Sequence, residues 1–192
     1  MSQDKITIND SSMNRRQLLK VGLIASAACL CPLPALARYN LLNSAPRSLS
    51  LFNTHTGEKL QQVVYWEGGD YLPDALHSIS HLLRDHRSGE VKEIDLATID
   101  LLYALKRKFP VEQPFEIISG YRSPQTNQML RSASSGVAKR SLHMQGKAID
   151  LRLPGVPLKT LRQAALELKL GGVGFYPKSD FVHIDTGSVR SW

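Results

Sequence analysis

Hydrophobic and polar positions follow two different periods along this chain and predict a mixture of strands and helices. Residues 48–66 alternate in part and break at a Thr-Gly pair, which predicts a β-hairpin. Hydrophobic residues then recur at helical spacing, first from Leu76 to Leu83 and later over residues 96–109 and 156–170. This order of elements predicts an α+β fold, a small single domain with a C-terminal antiparallel sheet packed on helices.

Local signals mark the ends of several predicted helices. Asp95 directly precedes the segment 96–109 and is a suitable N-cap. Ser123-Pro124 combines a capping hydroxyl with a proline at the first helical position, which predicts another helix start. Gly171-Gly172 follows the segment 156–170 and predicts its end.

Two segments near the C-terminus, 147–153 and 180–185, are predicted as strands with their polar side chains on one face. In each segment the aliphatic residues share one side, while Asp150 in the first and His183 in the second lie on the other. If these strands are neighbours in one sheet, the two polar side chains converge. A flexible turn before Asp150 would let His143 fold over and join them.

Two histidines and one carboxylate form a ligand set that leaves the fourth position of a tetrahedral Zn²⁺ open to water. We therefore predict one zinc ion per chain, held by His143, Asp150 and His183 on the open face of the sheet. The same ligand types also hold Fe²⁺. A second pair, His77 and His81, has the spacing of the H-E-x-x-H motif but lacks its glutamate, so we predict a solvated helix face there.

The first 37 residues have the layout of an export signal. A twin-arginine pattern, NRRQLLK over residues 14–20, precedes a short apolar stretch that ends in an A-x-A site at Ala37. We predict a twin-arginine signal peptide over residues 1–37, export by the twin-arginine machinery to the periplasm, and no stable membrane span after cleavage. Residues 38–48 are predicted to be flexible, and residues 49–192 to form the zinc-binding domain.

Removal of the predicted signal changes the chemistry that remains. Both cysteines, Cys29 and Cys31, lie within it, so the remaining domain would have no thiolate ligand, no disulfide and no cysteine nucleophile. The whole chain carries a formal charge of +7, and the signal contributes little of it. A basic protein attracts anionic partners, but no zinc finger, RNP-type motif or run of like charges is present, and we predict no nucleic-acid binding.

Several motifs occur together in an order that resembles a known family. These are SGYRS (119–123), S-x-H-x-x-G-x-A-x-D (141–150), GGVGFYP (171–177) and FVHIDTG (181–187). The set is similar to the zinc D,D-peptidases of bacterial cell walls, which include D,D-carboxypeptidases, vancomycin-resistance dipeptidases and the fold-related hedgehog signalling domain. Within them the chain most resembles the murein endopeptidase K branch. The resemblance implies the hedgehog/D,D-peptidase-like fold.

The resemblance also implies roles for individual residues. His143, Asp150 and His183 match the zinc ligands of that family. Arg122 matches an arginine that binds a substrate oxygen or carboxylate, and Ser141 the small polar residue beside the first ligand, so both are predicted to bind substrate. The acidic general base of that family lies three positions before the last histidine, which is Asp180 here.

Asp185 is the rival base, or a partner that orients a zinc-ligating histidine. The implied function is a periplasmic zinc-dependent murein endopeptidase that hydrolyses peptide cross-links of peptidoglycan. Two alternatives are a zinc D,D-carboxypeptidase that trims stem peptides and a non-catalytic zinc-bearing module that binds peptidoglycan.

Overall fold

Eight strands form one sheet in the computed structural model, which describes residues 45–134 and 136–192. The strands are β1 (Arg47–Asn53), β2 (Lys59–Glu67), β3 (Asp70–Tyr71), β4 (Phe115–Ser119), β5 (Ala148–Arg152), β6 (Gly172–Tyr176), β7 (Phe181–Asp185) and β8 (Arg190–Ser191). The helices are α1 (Pro73–Leu82), α2 (Leu96–Lys106), α3 (Pro124–Ala133), α4 (Leu158–Leu168) and a short 3₁₀ helix, Leu142–Gln145.

The strand order is β3-β2-β1-β4-β5-β7-β6-β8. The part formed by β4, β5, β7 and β6 is antiparallel throughout, which confirms the predicted C-terminal antiparallel sheet. The predicted N-terminal hairpin, β1 and β2, is also present and joins the same sheet because β1 pairs with β4 in parallel. A second parallel pair, β6 with β8, makes the complete sheet mixed rather than purely antiparallel.

Aliphatic side chains from the strands and from α1, α2 and α4 form one hydrophobic core. Strand β5 shows how its sequence separates the two faces of the sheet. Ile149 and Leu151 are fully buried in this core, whereas Asp150 and Arg152 alternate with them and lie on the opposite face. The predicted orientation of this strand is confirmed, and it leaves a polar face open for chemistry.

The predicted helix starts are confirmed by their caps. Asp95 Oδ1 accepts a hydrogen bond from the Ala97 amide at 3.1 Å, and Ser123 Oγ accepts one from Thr126 at 3.1 Å. Helix α4 ends earlier than predicted, at Leu168, and the residue after it in the left-handed conformation is Lys169 rather than a glycine. The prediction that Gly171-Gly172 ends this helix was therefore wrong.

Gly171 and Gly172 instead allow β6 to approach β7. A Cβ atom on Gly171 would collide with the backbone oxygen of Asp185, and one on Gly172 would lie 2.5 Å from the Asp185 carboxylate. Because real Cβ atoms do not approach other atoms so closely, only glycine fits at these positions. The two glycines therefore allow close packing of β6 beside Asp185, and they do not end a helix.

The N-terminal predictions fall largely beyond the described part of the chain. The predicted signal peptide, residues 1–37, lies outside it. Strand β1 begins at Arg47, so the last two residues of the range 38–48, which was predicted to be flexible, belong to a strand. None of the helices in residues 45–134 and 136–192 is long and apolar enough to cross a membrane.

Candidate zinc centre and its cleft

His143, Asp150 and His183 lie together on the open face of the sheet. Asp150 and His183 are directly opposite each other on the paired strands β5 and β7, as their alternation predicted. His143 comes from the 3₁₀ helix that precedes β5. The His183 Nδ1 atom lies 2.8 Å from Asp150 Oδ1 and 3.2 Å from His143 Nε2, and His143 Nε2 lies 3.3 Å from Asp150 Oδ1.

These separations fit a zinc ion. Ligand atoms about 2.0–2.1 Å from a tetrahedral metal lie about 3.3 Å from one another. The three observed separations, 2.8 to 3.3 Å, are close to that value. Two imidazoles and one carboxylate are also the donor types of catalytic zinc sites with one open position. Among the described residues, this is the group of histidine and carboxylate side chains that converges in this way.

The backbone around Gly120 fixes the orientation of His143. His143 Nδ1 lies 2.8 Å from the Gly120 carbonyl oxygen, which can only accept a hydrogen bond, so Nδ1 must carry the proton. Nε2 is then left with a lone pair that points to the side chains of Asp150 and His183. Gly120 has no room for a side chain, because a Cβ atom there would lie 2.9 Å from Leu83 Cβ.

Asp185 fixes the orientation of His183 in a similar way. Its Oδ2 atom lies 3.0 Å from His183 Nε2, so that nitrogen carries a proton, and Nδ1 is the nitrogen that faces Asp150 and His143. The Asp185 side chain is completely buried, and it also accepts hydrogen bonds from the amides of Gly172 and Gly187 and from Arg190. These donors hold the Asp185 carboxylate in one position, and the carboxylate can therefore hold the ring of His183 in one orientation.

The electrostatics of the cluster favour a negative carboxylate between two imidazoles. Burial opposes the charged form of Asp150, but His143 and His183 outweigh it and hold the pKa of this carboxyl group below its usual range. Burial would likewise lower the pKa of His183, but Asp150 and Asp185 raise it to about 9. Burial also opposes ionisation of Asp185, and His183 and Arg190 outweigh it and lower its pKa.

A cleft of about 440 Å³ opens over the three clustered side chains. Arg122 and Ser141, both predicted to bind substrate, line this cleft beside His143. The Arg122 side chain is 13% exposed, and its Nη2 atom lies 3.8 Å from Asp150 Oδ2. Its Nε atom is buried without a partner among the described residues, and its other contacts, to Asn127 and Ser119, are long at 3.5 Å. Arg122 therefore has donors available for a ligand.

The loop that carries Arg122 is held by Asp85, a residue for which we predicted no role from the sequence. Asp85 is buried and accepts hydrogen bonds from the Ser123 amide at 2.8 Å and the Arg87 amide at 2.9 Å. Burial opposes its charged form, but hydrogen bonds from Thr126 and Ser123 outweigh it and lower the pKa of Asp85. Asp85 is far from the motifs in sequence, so only the fold could reveal this contact.

Asp180, the predicted base, is not among the residues that line the cleft in the structure. Its side chain is 64% exposed and lies 2.9 Å from Arg152 Nη1, and it borders a separate depression with Glu116. Its backbone is left-handed, with φ of 54°. His77 and His81 lie on an exposed part of α1, and the described structure groups neither of them with His143, Asp150 and His183.

Three cleft residues near the C-terminus had no predicted role: Tyr176, Arg190 and Trp192. Tyr176 belongs to the GGVGFYP motif, so its position in a shared motif was a signal that could have singled it out. Arg190 and Trp192 carried no such signal. They reach the cleft because β8 pairs with β6, a contact that no local pattern predicts.

Comparisons with known proteins show the family of this chain. Residues 42–192 match the family model described as peptidoglycan L,D-endopeptidase MepK. The chain is 44% identical over 179 residues to the peptidoglycan L,D-endopeptidase MepK of Escherichia coli K12, covering 93% of this chain and 97% of the relative. It is 39% identical over 186 residues to the probable enzyme of the same name from Haemophilus influenzae, covering 96% and 98%. The resemblance in the motifs is confirmed, and the chain belongs to the peptidoglycan L,D-endopeptidase MepK family, a branch of the zinc D,D-peptidases.

Proposed function

We propose that this protein is a periplasmic zinc-dependent endopeptidase that hydrolyses peptide cross-links of peptidoglycan. The observation that carries the proposal is the convergence of His143, Asp150 and His183 at the floor of an open cleft, in a chain of this family. The names of the relatives indicate cross-links of the L,D type. Export through the twin-arginine route would bring the basic protein to the anionic wall.

A bound zinc ion would supply a water molecule of lowered pKa and polarise the carbonyl of the scissile peptide bond. The chain's own residues prepare the site for it. Gly120 and Asp185 fix which nitrogen of each histidine faces the site, and Asp150 supplies the negative charge between them. This arrangement avoids reorganisation of the ligands when the metal enters.

Arg122 would provide fixed positive charge in the cleft, either to a substrate carboxylate or to the oxygen that becomes negative during attack. Its unpaired Nε atom and long hydrogen bonds support this role. Ser141, which is buried beside His143 and lines the cleft, would contact the substrate backbone. Replacing Arg122 with lysine should leave most of the charge but lose the paired donors.

We assign the proton acceptor to Asp180, which lies three residues before His183. This role requires its exposed side chain to leave Arg152 and turn toward the cleft. Asp185 is less suitable as a base because its oxygen atoms already accept five hydrogen bonds. If Asp180 is the base, Asp180→Ala should lower kcat by about 10²–10⁴ while zinc affinity stays unchanged. Full activity in this variant would show that the assignment is wrong.

The decisive experiment is incubation of the purified protein with defined dimeric muropeptides that carry either L,D or D,D cross-links. Mass spectrometry should show monomers from the L,D substrate, and a chelator should stop the reaction until zinc is restored. His143→Ala should abolish cleavage, and His81→Ala, a histidine outside the site, should not. Release of terminal D-alanine alone would support the carboxypeptidase alternative. Tight binding to wall material without any released product would support the binding module.

A further inference from the structure

A pair of aromatic side chains, Tyr176 and Trp192, forms one wall of the cleft. We propose that the Tyr176 hydroxyl donates a hydrogen bond to a carbonyl oxygen of the peptide bound there, and that Trp192 holds this hydroxyl in position. The inference rests on the proposed function for the nature of the peptide. Tyr176 would touch the substrate, whereas Trp192 would be a positioning residue that acts through it.

The indole of Trp192 lies directly on the open face of the sheet because strand β6 has a glycine beneath it. A Cβ atom on Gly174 would come within 2.8 Å of the indole ring. Gly174 is the cross-strand partner of His183, so the indole also lies beside that histidine, with 5.3 Å between the ring centroids. The absence of a side chain at Gly174 thus places Trp192 next to the candidate zinc centre.

The hydrogen bond between the two aromatic residues has only one possible direction. The indole Nε1 is a donor without acceptor capacity, and it lies 2.7 Å from the Tyr176 hydroxyl oxygen. The hydroxyl oxygen must therefore accept this bond, and its own proton must point elsewhere. Within residues 45–134 and 136–192, this is the one hydrogen bond that the hydroxyl makes. A donor without a partner is thereby left at the wall of the cleft.

The Tyr176 ring is held in place as well as its oxygen. It stacks on Phe181, its cross-strand partner, with 4.6 Å between the ring centroids and 22° between the planes. Trp192 is held in turn by the Arg190 guanidinium, which lies 5.0 Å from the indole centroid and also pairs with Asp185. A chain of contacts therefore links the orientation of His183 to that of the Tyr176 hydroxyl.

The chemistry of the cleft indicates what this hydroxyl would bind. The cationic side chains that line it, Arg122, Arg140 and Arg190, suit charged carboxylates. A phenol is a neutral donor, and it suits a neutral acceptor such as the carbonyl oxygen of a peptide bond. With Arg122 and Tyr176 in the same cleft, a carboxylate and a nearby carbonyl of one substrate can each find a matching donor.

The test is a double-mutant cycle with Tyr176→Phe, Trp192→Phe and the double variant. We measure kcat and KM on the L,D cross-linked dimeric muropeptide. Each single variant should lose about tenfold in kcat/KM, the size of one hydrogen bond of about 1.4 kcal/mol. Since Trp192 acts through the hydroxyl, the double variant should also lose about tenfold rather than a hundredfold. Zinc affinity should stay the same in Tyr176→Phe.

Two matched controls remove an equivalent group far from the cleft. Tyr71→Phe deletes a hydroxyl that donates to Asp100 at 2.6 Å, and Trp66→Phe changes the other tryptophan, which is buried in the core. Both should leave kcat/KM within about twofold of the wild-type protein. If Tyr176→Phe also stays within twofold, or if the losses in the double variant multiply, the inference is overturned.

A binding measurement separates this inference from the proposed function. The chain has two tryptophans, so Trp192 is the remaining one in a Trp66→Phe background. Titration of the zinc-free protein with the muropeptide should change the Trp192 fluorescence, and Tyr176→Phe should raise Kd about tenfold. If the peptide binds with this dependence but the zinc-loaded protein does not cleave it, the proposed function fails and the inference stands. Binding with an unchanged Kd in Tyr176→Phe overturns the inference.

Discussion

Replacing Asp185 with asparagine tests how the site holds His183. The asparagine keeps the size of the side chain, but it replaces one acceptor oxygen with an NH₂ group. That group is itself a donor and cannot accept a hydrogen bond from the donors that it would face. In the structure Asp185 accepts from His183, from two backbone amides and twice from Arg190. One amide oxygen cannot satisfy all of these groups, so His183 loses its partner and at least one buried donor loses its acceptor.

The expected magnitude follows from the two losses. Removing the partner of a ligating histidine weakens metal binding about 10- to 100-fold, or about 1.4–2.7 kcal/mol. A buried donor without an acceptor costs about 1–3 kcal/mol of folding stability. We therefore expect Asp185→Asn to remain folded, with a lower Tm, and to bind zinc about 10- to 100-fold more weakly than the wild-type protein.

The assay is a zinc titration of the metal-free protein in competition with a chromophoric chelator, with thermal melting measured on the same samples. Asp180→Asn is the matched control because its side chain is 64% exposed and lies on Arg152, so its zinc Kd should not change. A folded Asp185→Asn protein with the wild-type zinc Kd would refute the reasoning. Asp185 would then contribute to packing alone, and another contact would orient His183.

Three further outcomes follow from contacts around the site. Gly120→Ala should lower Tm and zinc occupancy because its Cβ would press on Leu83; melting curves and metal analysis check this. Asp85→Asn should raise KM, because Asp85 holds the loop that carries Arg122. The variant should also lose less stability than the wild-type protein below about pH 4, since a carboxyl group of lowered pKa stabilises the fold only while it is ionised. Measurements of KM and an acid titration check these two effects. Burial and His55 lower the pKa of His86 to about 4, so Tm should fall as pH drops from about 6.5 toward 4, and His86→Gln should flatten that profile.

Local patterns were sufficient where a short segment determines its own conformation. The alternation in β5 and β7 placed Asp150 and His183 on one face, and the structure pairs them directly. The caps at Asp95 and Ser123 were predictable because each binds an amide only two or three residues away. The candidate ligand set was therefore accessible from the sequence, since the strands of Asp150 and His183 carry their orientation in their own periodicity.

Contacts between distant segments were not accessible in this way. Nothing near Asp85 indicates that it binds the amide of Ser123, because the two meet only when the segment after α1 packs against the loop after β4. The wall formed by Tyr176 and Trp192 depends on the pairing of β8 with β6. Asp180 was predicted to be the general base from its distance to His183 in sequence. The backbone of Asp180 is left-handed, and its side chain lies on Arg152.

All three candidate ligands lie between residues 143 and 183, on β5, β7 and the 3₁₀ helix before them. A metal held there links only this C-terminal part of the sheet, so it should resist the local opening of some strands and not of others. Ligand binding suppresses those openings that destroy its site. Zinc should therefore slow amide hydrogen exchange strongly in β5 and β7, while exchange in the β1–β2 hairpin should change little. The domain would then consist of a metal-dependent half and a half whose order the metal hardly affects.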